Sequence, residues 1–106
     1  MHSLRIEGTL KPGKRDEFLK AWSSQVLPTL KKQNGFVDEI LLFDESTHTG
    51  MGISIWKSRQ DAEQYHRNTF NQLSGHVESL LTGKPTVRSC EILHSETLHV
   101  NLHKAA

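Results

Sequence analysis

The sequence has a single cysteine, Cys90, so no disulfide can form within the chain. It also lacks any apolar run near the ~20 residues that a membrane-spanning helix needs. Its first residues, Met-His-Ser-Leu-Arg-Ile-Glu, contain no apolar stretch of the kind found in signal peptides. We therefore expect a cytoplasmic protein, in which Cys90 is an inert part of a strand in the core.

An excess of charge of one sign is also absent. Lys and Arg number 13 against 12 Asp and Glu, which gives a formal net charge of +1. Nucleic acids and anionic membranes are bound through clustered positive charge, so neither is expected as a partner. Hydrophobic residues make up only 35% of the 106 residues. This lean composition fits a domain that buries further apolar surface against a partner subunit.

Hydrophobic periodicity predicts four strands and two helices in the order βαββαβ. Pro28 should kink the first helix, and Thr69 lies where the second helix is expected to break. The second strand is apolar on both faces, which indicates a central strand. The predicted strands lie at 3–10, 36–45, 50–57 and 86–95, and the helical segments at 14–33, 59–67 and 70–82.

This order is the split βαβ arrangement of the ferredoxin-like fold, in which an antiparallel sheet packs two helices on one face. Alternation in the second strand sets Phe36, Ile40 and Leu42 on one face and Val37, Leu41 and Phe43 on the other. The free sheet face would leave Leu41, Phe43 or their neighbours in water, so we expect a homodimer through sheet-to-sheet packing. The chain is expected to be one domain over 1–106, with a core at about 3–95 and a tail at 96–106.

Four short motifs resemble those of the antibiotic biosynthesis monooxygenase family. They are the turn Lys11-Pro12-Gly13-Lys14, the strand entry Asn34-Gly35-Phe36, and the hinge Ile55-Trp56-Lys57-Ser58 followed by Asp61-Ala62. The resemblance covers roughly residues 3–95 and implies a dimeric α+β barrel with a pocket in each subunit. Family activities include cofactor-free oxygenation of phenolic or quinol substrates, haem degradation and isomerisation, so the fold does not choose among them.

The resemblance argues against haem degradation, and the sequence contains no motif that predicts another cofactor or a metal site. The asparagine that the haem-degrading branch has on its first strand falls on Ile6, which cannot donate a hydrogen bond. Flavin, nicotinamide and phosphate-loop motifs are absent, and we expect no cofactor. His99 and His103 have the spacing of helical metal ligands, but their segment is predicted as strand or tail, and no metal site is expected.

The candidate catalytic residues are His66 and Tyr65. An imidazole can accept a phenol proton at neutral pH, and the electron-rich anion that results can itself reduce oxygen. Tyr65 could contact the substrate through its hydroxyl group, and Trp56 could stack on a flat ring. Arg5 and Glu7 are candidate substrate-binding residues if their strand face lines the pocket. The structural alternatives are core positions for Tyr65 and Trp56, and solvent-facing positions for the charged residues and His66.

The leading hypothesis is a cofactor-independent monooxygenase that acts on a small phenolic or quinol-type molecule. One alternative is an isomerase of a small oxo-compound, because residues 65–67 resemble the second helix of an autoinducer-2-processing isomerase. Such an enzyme handles a phosphate, for which Arg5, Lys57, Arg67 or Arg88 would have to supply the contacts. The other alternative is a dimer that binds a small ligand without turning it over.

Overall fold

A computed structural model describes residues 1–100 of the protein. The helical layer contains a π-helical segment, which separates the first two α-helices. The elements are β1 (His2–Thr9), α1 (Arg15–Ala21), the π segment (Trp22–Val26), α2 (Leu27–Lys31), β2 (Phe36–Asp44), β3 (Thr49–Trp56), α3 (Arg59–Asn68), α4 (Phe70–Glu78) and β4 (Thr86–Glu91).

The four strands form one antiparallel sheet in the order β2-β3-β1-β4, with the helices packed on one face. Leu4 of β1 pairs with Ser54 of β3, and both are buried on the helix side. Their neighbours Arg5 and Ile53 pair on the opposite face, which we call the open face. The predicted ferredoxin-like βαββαβ fold is confirmed, and the sheet of the single chain does not close into a barrel.

The first helix contains a π turn immediately before its proline. The amide of Leu27 donates to the carbonyl of Trp22, five residues back, in place of the usual four. Pro28 follows in the first turn of α2. Because a proline ring in a regular α-helix presses against the carbonyl four residues earlier, the wider turn accommodates Pro28 where the sequence predicted a kink.

Two glycines of β3 allow the first helix to approach the sheet closely. A Cβ atom at Gly50 would lie 2.9 Å from the Phe18 ring, and one at Gly52 would overlap the Trp22 ring. Phe18 and Trp22 are buried side chains of the core cluster, and their ring centroids are 6.3 Å apart. The two rings therefore rest directly on the backbone of β3.

The second strand departs from the predicted alternation. An irregularity between Phe36 and Asp38 shifts the register, so Phe36 packs edge-on against Trp56 with ring centroids 5.7 Å apart. The prediction that Phe36 shares a face with Ile40 and Leu42 is therefore wrong, because a bulge inserts one residue into the alternation. β2 is also an edge strand of the sheet, not the central strand that its apolar run indicated.

On the open face, the exposed apolar side chains of β2 are Ile40 at 44% and Leu42 at 46%. The patch expected in water thus consists of these neighbours, whereas Leu41 and Phe43 pack partly against the core.

The second helix breaks at Thr69 as predicted, between α3 and α4. The amide of Asp61 donates to the Ser58 hydroxyl at 3.1 Å and so caps α3. β4 ends at Glu91, earlier than the predicted residue 95. Cys90 is exposed, which contradicts its expected place in the core, because it pairs with Ser3 on the open face.

Residues 1–100 contain no group of three His, Cys, Asp or Glu residues that could hold a metal ion. No helix in this part of the chain is long and apolar enough to cross a membrane. Ser95 and Val100 form an isolated antiparallel bridge in the tail. The predicted tail residues Leu102 and His103 lie outside the described residues.

We predict that Gly52→Ala destabilises the fold and Gly75→Ala does not. The new methyl group at position 52 would overlap the Trp22 ring, and overpacking of this kind costs about 1–3 kcal/mol. Gly75 lies within α4 and a Cβ there meets nothing within 4 Å, so alanine should stabilise the helix by about 0.5–1 kcal/mol. Urea unfolding of both variants measures the difference. Equal stabilities would contradict the close helix–sheet approach.

Candidate functional site

An aromatic cluster lies between the sheet and the helices α3 and α4. Trp56 at the end of β3 stacks on Tyr65 of α3, with ring centroids 4.8 Å apart and planes inclined by 27°. Tyr65 also meets Phe70 of α4 edge-on at 6.4 Å. The Trp56 side chain is fully buried, and its Nε1–H donates to the Ser54 hydroxyl at 2.9 Å. Its polar atom is thus satisfied within the protein, as the structural interpretation of Trp56 requires.

Tyr65 points into the core because the cap at Ser58 starts α3 in a fixed orientation. Ala62 and Tyr65 lie three positions apart, on the same side of the helix, and both are buried. Burial raises the pKa of the Tyr65 phenol above its usual value of 10.0. The hydroxyl group is therefore neutral at physiological pH and can act as a hydrogen-bond donor.

His66 follows Tyr65 in sequence but points outwards, because consecutive residues of an α-helix lie ~100° apart around its axis. Its imidazole is on the exposed side of α3 and contacts the Phe70 ring edge-on, with centroids 4.9 Å apart. Phe70 is half-buried and is the first residue after the helix break. One phenylalanine therefore touches both candidate catalytic residues, one outside the core and one within it.

Trp22 contributes a buried polar atom to this region, although it is not among the candidate site residues predicted from the sequence. Its side chain is buried, and its Nε1–H has no hydrogen-bond partner within residues 1–100. Two small cavities of about 20 Å³ each lie beside it, and both are lined by Trp22, Ile6, Tyr65 and Phe70. Each could hold about one water molecule. No signal in the sequence distinguishes an indole that finds a partner from one that does not.

Arg5 and Glu7 lie on the open face of the sheet, away from the aromatic cluster. Arg5 is opposite Ile53 on one side and Arg88 on the other, and Glu7 is opposite Met51 and Thr86. The structure thus stacks Trp56 on Tyr65, brings Tyr65 and His66 into contact with Phe70, and places the two charged residues on the other side of the sheet.

A larger groove of about 660 Å³ runs between α1 and the end of β2. The Arg15 guanidinium lies 5.9 Å from the centroid of the Phe43 ring in this region. The groove is lined by Arg15, Phe18, Leu19, Leu41, Leu42, Phe43, Asp44 and Glu45. None of the predicted site residues lines it, so the groove and the aromatic cluster are separate features.

The family model described as antibiotic biosynthesis monooxygenase matches residues 1–81. Comparison with curated protein sequences finds no match. Among solved structures, SnoaB from Streptomyces nogalater, described as a cofactor-independent oxygenase, is similar with a TM-score of 0.73 and 14% identity, covering 90% of this chain and 95% of that one.

Two further structures are similar at comparable levels. The ActVA-Orf6 monooxygenase of Streptomyces coelicolor, in complex with nanaomycin D, has a TM-score of 0.71 and 16% identity, covering 89% of this chain and 92% of that one. A protein of unknown function from Nitrosomonas europaea has a TM-score of 0.72 and 17% identity, covering 90% and 91%. At such identities the structural likeness establishes the fold alone.

We predict that Tyr65 ionises only well above pH 10. It is the sole tyrosine, so the phenolate absorbance near 295 nm reports on this residue alone. Since burial raises its pKa in the folded state, the associated stability is fully present below the unfolded value of about 10 and is lost as the pH rises above it. Spectrophotometric titration with and without urea measures both states. A folded protein that titrates at the unfolded value would contradict the burial of the hydroxyl group.

Proposed function

Because the chain belongs to the antibiotic biosynthesis monooxygenase family, we propose that it oxidises a small phenolic or quinol-type compound with molecular oxygen and without a cofactor. The observation that carries this proposal is the arrangement around Phe70, where the exposed His66 imidazole and the buried Tyr65 phenol contact the same ring. A proton acceptor that solvent can reach and a neutral donor in an apolar interior are the groups that such an oxidation uses.

The proposed reaction converts one phenol and one O₂ into one quinone and one water. His66 takes the phenol proton, and the phenolate passes one electron to O₂, which becomes superoxide. Superoxide and the phenoxyl radical combine at a ring carbon to form a peroxide anion, and the proton held by His66 converts this anion to a hydroperoxide. The hydrogen of that ring carbon and the outer OH group of the hydroperoxide then leave as water, which breaks the O–O bond and leaves the second carbonyl group. In this scheme the substrate supplies all the electrons, and the protein supplies position and proton transfer.

Phe70 would control entry to the interior. The cavities of about 20 Å³ are far too small for an aromatic ring, and Phe70 lines both of them. It follows Thr69, where the two helices α3 and α4 meet. A rotation of the Phe70 side chain, or a shift of α4 at this break, would open space between Trp22 and Tyr65. The substrate ring would then stack in the place that Phe70 leaves.

Two structural neighbours support this chemistry. The S. nogalater protein is described as a cofactor-independent oxygenase, and the S. coelicolor monooxygenase holds nanaomycin D. Neither fixes the substrate of this chain.

A homodimer through the open face is the second part of the proposal. Ile40 and Leu42 are exposed there beside Ile53 and Met51 of the next strand. Isolated soluble domains rarely leave such apolar stripes in water. Two sheets packed face to face would cover these side chains and would enclose Arg5 and Glu7 between the subunits, on the sheet face opposite the proposed substrate site.

We predict oxygen uptake when the purified protein is given a panel of hydroquinones, and a fall of about 100-fold or more in kcat for His66→Ala, as expected for the loss of a general base. The matched control is His76→Ala, which removes an exposed histidine of α4. An oxygen electrode and product chromatography are sufficient. Product formed without oxygen consumption would favour the isomerase, and unchanged uptake by His66→Ala would remove the role of this histidine.

We also predict that the protein is a dimer in solution and that Ile40→Asp makes it monomeric, because the open face would then carry a buried carboxylate at the interface. Leu19→Asp replaces a similarly exposed leucine on α1, in the helical layer, and should leave the dimer intact. Size-exclusion chromatography with light scattering gives the mass of each variant. A monomeric parent protein, or a dimeric Ile40→Asp variant, would contradict the proposed interface.

A further inference from the structure

The indole N–H groups of the two tryptophans differ in whether they have a hydrogen-bond partner. Trp56 Nε1–H donates to the Ser54 hydroxyl at 2.9 Å. Trp22 is only 5% exposed, yet its Nε1–H has no partner within the described residues. A buried donor without an acceptor destabilises a fold, and native proteins leave few of them. The Trp22 indole therefore calls for a functional explanation.

Within residues 1–100, the packed Trp22 ring has no acceptor for its indole N–H. Its ring rests on the Gly52 backbone and is held beside Phe18. The next two residues along the helix, Ser23 and Ser24, are exposed, and their hydroxyl groups donate to the backbone carbonyls of Leu19 and Lys20. Trp22 is also the first residue of the π segment, a feature that is frequent at functional sites. The ring is fixed in place with its donor unused.

Unfilled space adjoins this ring. Trp22 lines both small cavities between the first helix and the break at Thr69, together with Tyr65 and Phe70. Three hydroxyl-bearing side chains line them, Tyr65, Ser54 and Ser74, and none accepts from the Trp22 indole. Ser54 instead accepts from Trp56, and Ser74 donates to the Asn71 carbonyl at 3.2 Å. The indole N–H is thus an uncommitted donor in the part of the interior that the proposed substrate would enter.

We propose that Trp22 Nε1–H donates a hydrogen bond to an oxygen of the bound phenolic or quinol substrate, an inference that rests on the proposed function. An indole nitrogen donates and cannot accept. It therefore pairs with a phenolate or a carbonyl oxygen better than with a hydroxyl group that must itself donate. Trp22 accordingly favours the deprotonated substrate that reduces oxygen, and it selects for aromatic compounds with an acceptor oxygen over hydrocarbons of the same shape.

The test uses the full chain labelled with ¹⁵N, whose two indole N–H signals in a proton–nitrogen correlation spectrum report on Trp22 and Trp56 separately. Trp22→Phe assigns the signals. Addition of 1,4-naphthohydroquinone under nitrogen should move the Trp22 signal downfield, as a new hydrogen bond requires, and should leave the Trp56 signal near its position. Naphthalene, which has the same rings and no oxygen, is the matched ligand control and should cause no downfield shift of Trp22.

Kinetics provide a second measure that does not depend on the spectrum. Trp22→Phe keeps an aromatic ring and removes the donor, and it should lower kcat/KM for the best hydroquinone by about tenfold or more, the effect of losing one hydrogen bond to a charged group. If this variant fails to fold, the through-space contacts between the Trp56 indole and the stacked Tyr65 ring assign the two signals in the parent protein, whose spectrum then decides the question.

The outcomes separate this inference from the proposed function. Oxygen uptake by the parent protein with an unmoved Trp22 signal would overturn the role of Trp22 and leave the oxygenase standing. A shifted Trp22 signal without oxygen uptake would support the donor role toward a bound ligand and would overturn the oxygenase. A shift with naphthalene equal to that with naphthohydroquinone would also overturn the hydrogen bond, because ring currents alone would then explain it.

Discussion

The contact between the rings of the first helix and the backbone of β3 determines much of the architecture. Phe18 and Trp22 can lie on the sheet only because Gly50 and Gly52 have no side chains. Helices usually pack on sheets through interdigitated side chains on both sides. Here one side is bare backbone, so the large rings occupy the space that sheet side chains would otherwise fill.

The first helix approaches β3 closely at the end that carries Gly50 and Gly52, whereas the other end of the strand carries large side chains. Past Gly52 the strand carries Ser54 and Trp56 on the same face, and the large Trp56 ring stacks on Tyr65 of α3. The first helix is thus drawn close to the glycine end, while α3 lies against the bulky end. The small cavities beside Trp22 lie between these two parts of the helical layer, where Trp22 of the first helix faces Tyr65 and Phe70 of the second.

Much of the fold could be predicted from the sequence because it depends on local periodicity and turn residues. Short-range patterns in the sequence indicate the order βαββαβ of helices and strands along the chain, the hairpin of β2 and β3, and the break at Thr69. No such pattern indicates the bulge at Phe36–Asp38, and it reversed the face assigned to Phe36. The strand pattern predicts a core position for the exposed Cys90, because alternation alone does not indicate which face of a strand is covered. The π turn accommodates Pro28 in a helix whose Trp22 ring is packed on the sheet. It cannot be predicted from a short segment of sequence, because it depends on that packing.

The candidate site was less predictable than the fold, because it depends on the direction of individual side chains and on contacts between distant residues. Tyr65 and His66 could be named from their chemistry, but a helix turns neighbours in different directions, and only Tyr65 enters the core. Arg5 and Glu7 belong to the opposite face of the sheet. Whether Trp22 finds an acceptor depends on residues distant in sequence, such as Tyr65 and Phe70, so its free donor could emerge only from the packed structure.

The position of β1 bears on how the chain reaches this structure. β1 precedes both strands that it pairs with, and Ser3 bonds to the carbonyl of Cys90 across 87 positions. Closing so long a loop costs entropy before any contact compensates for it, and folds with distant pairings form slowly. During synthesis β1 therefore leaves the ribosome with both edges unpaired and keeps one of them open until β4 has emerged, an interval in which a chaperone or a second nascent chain could occupy that edge.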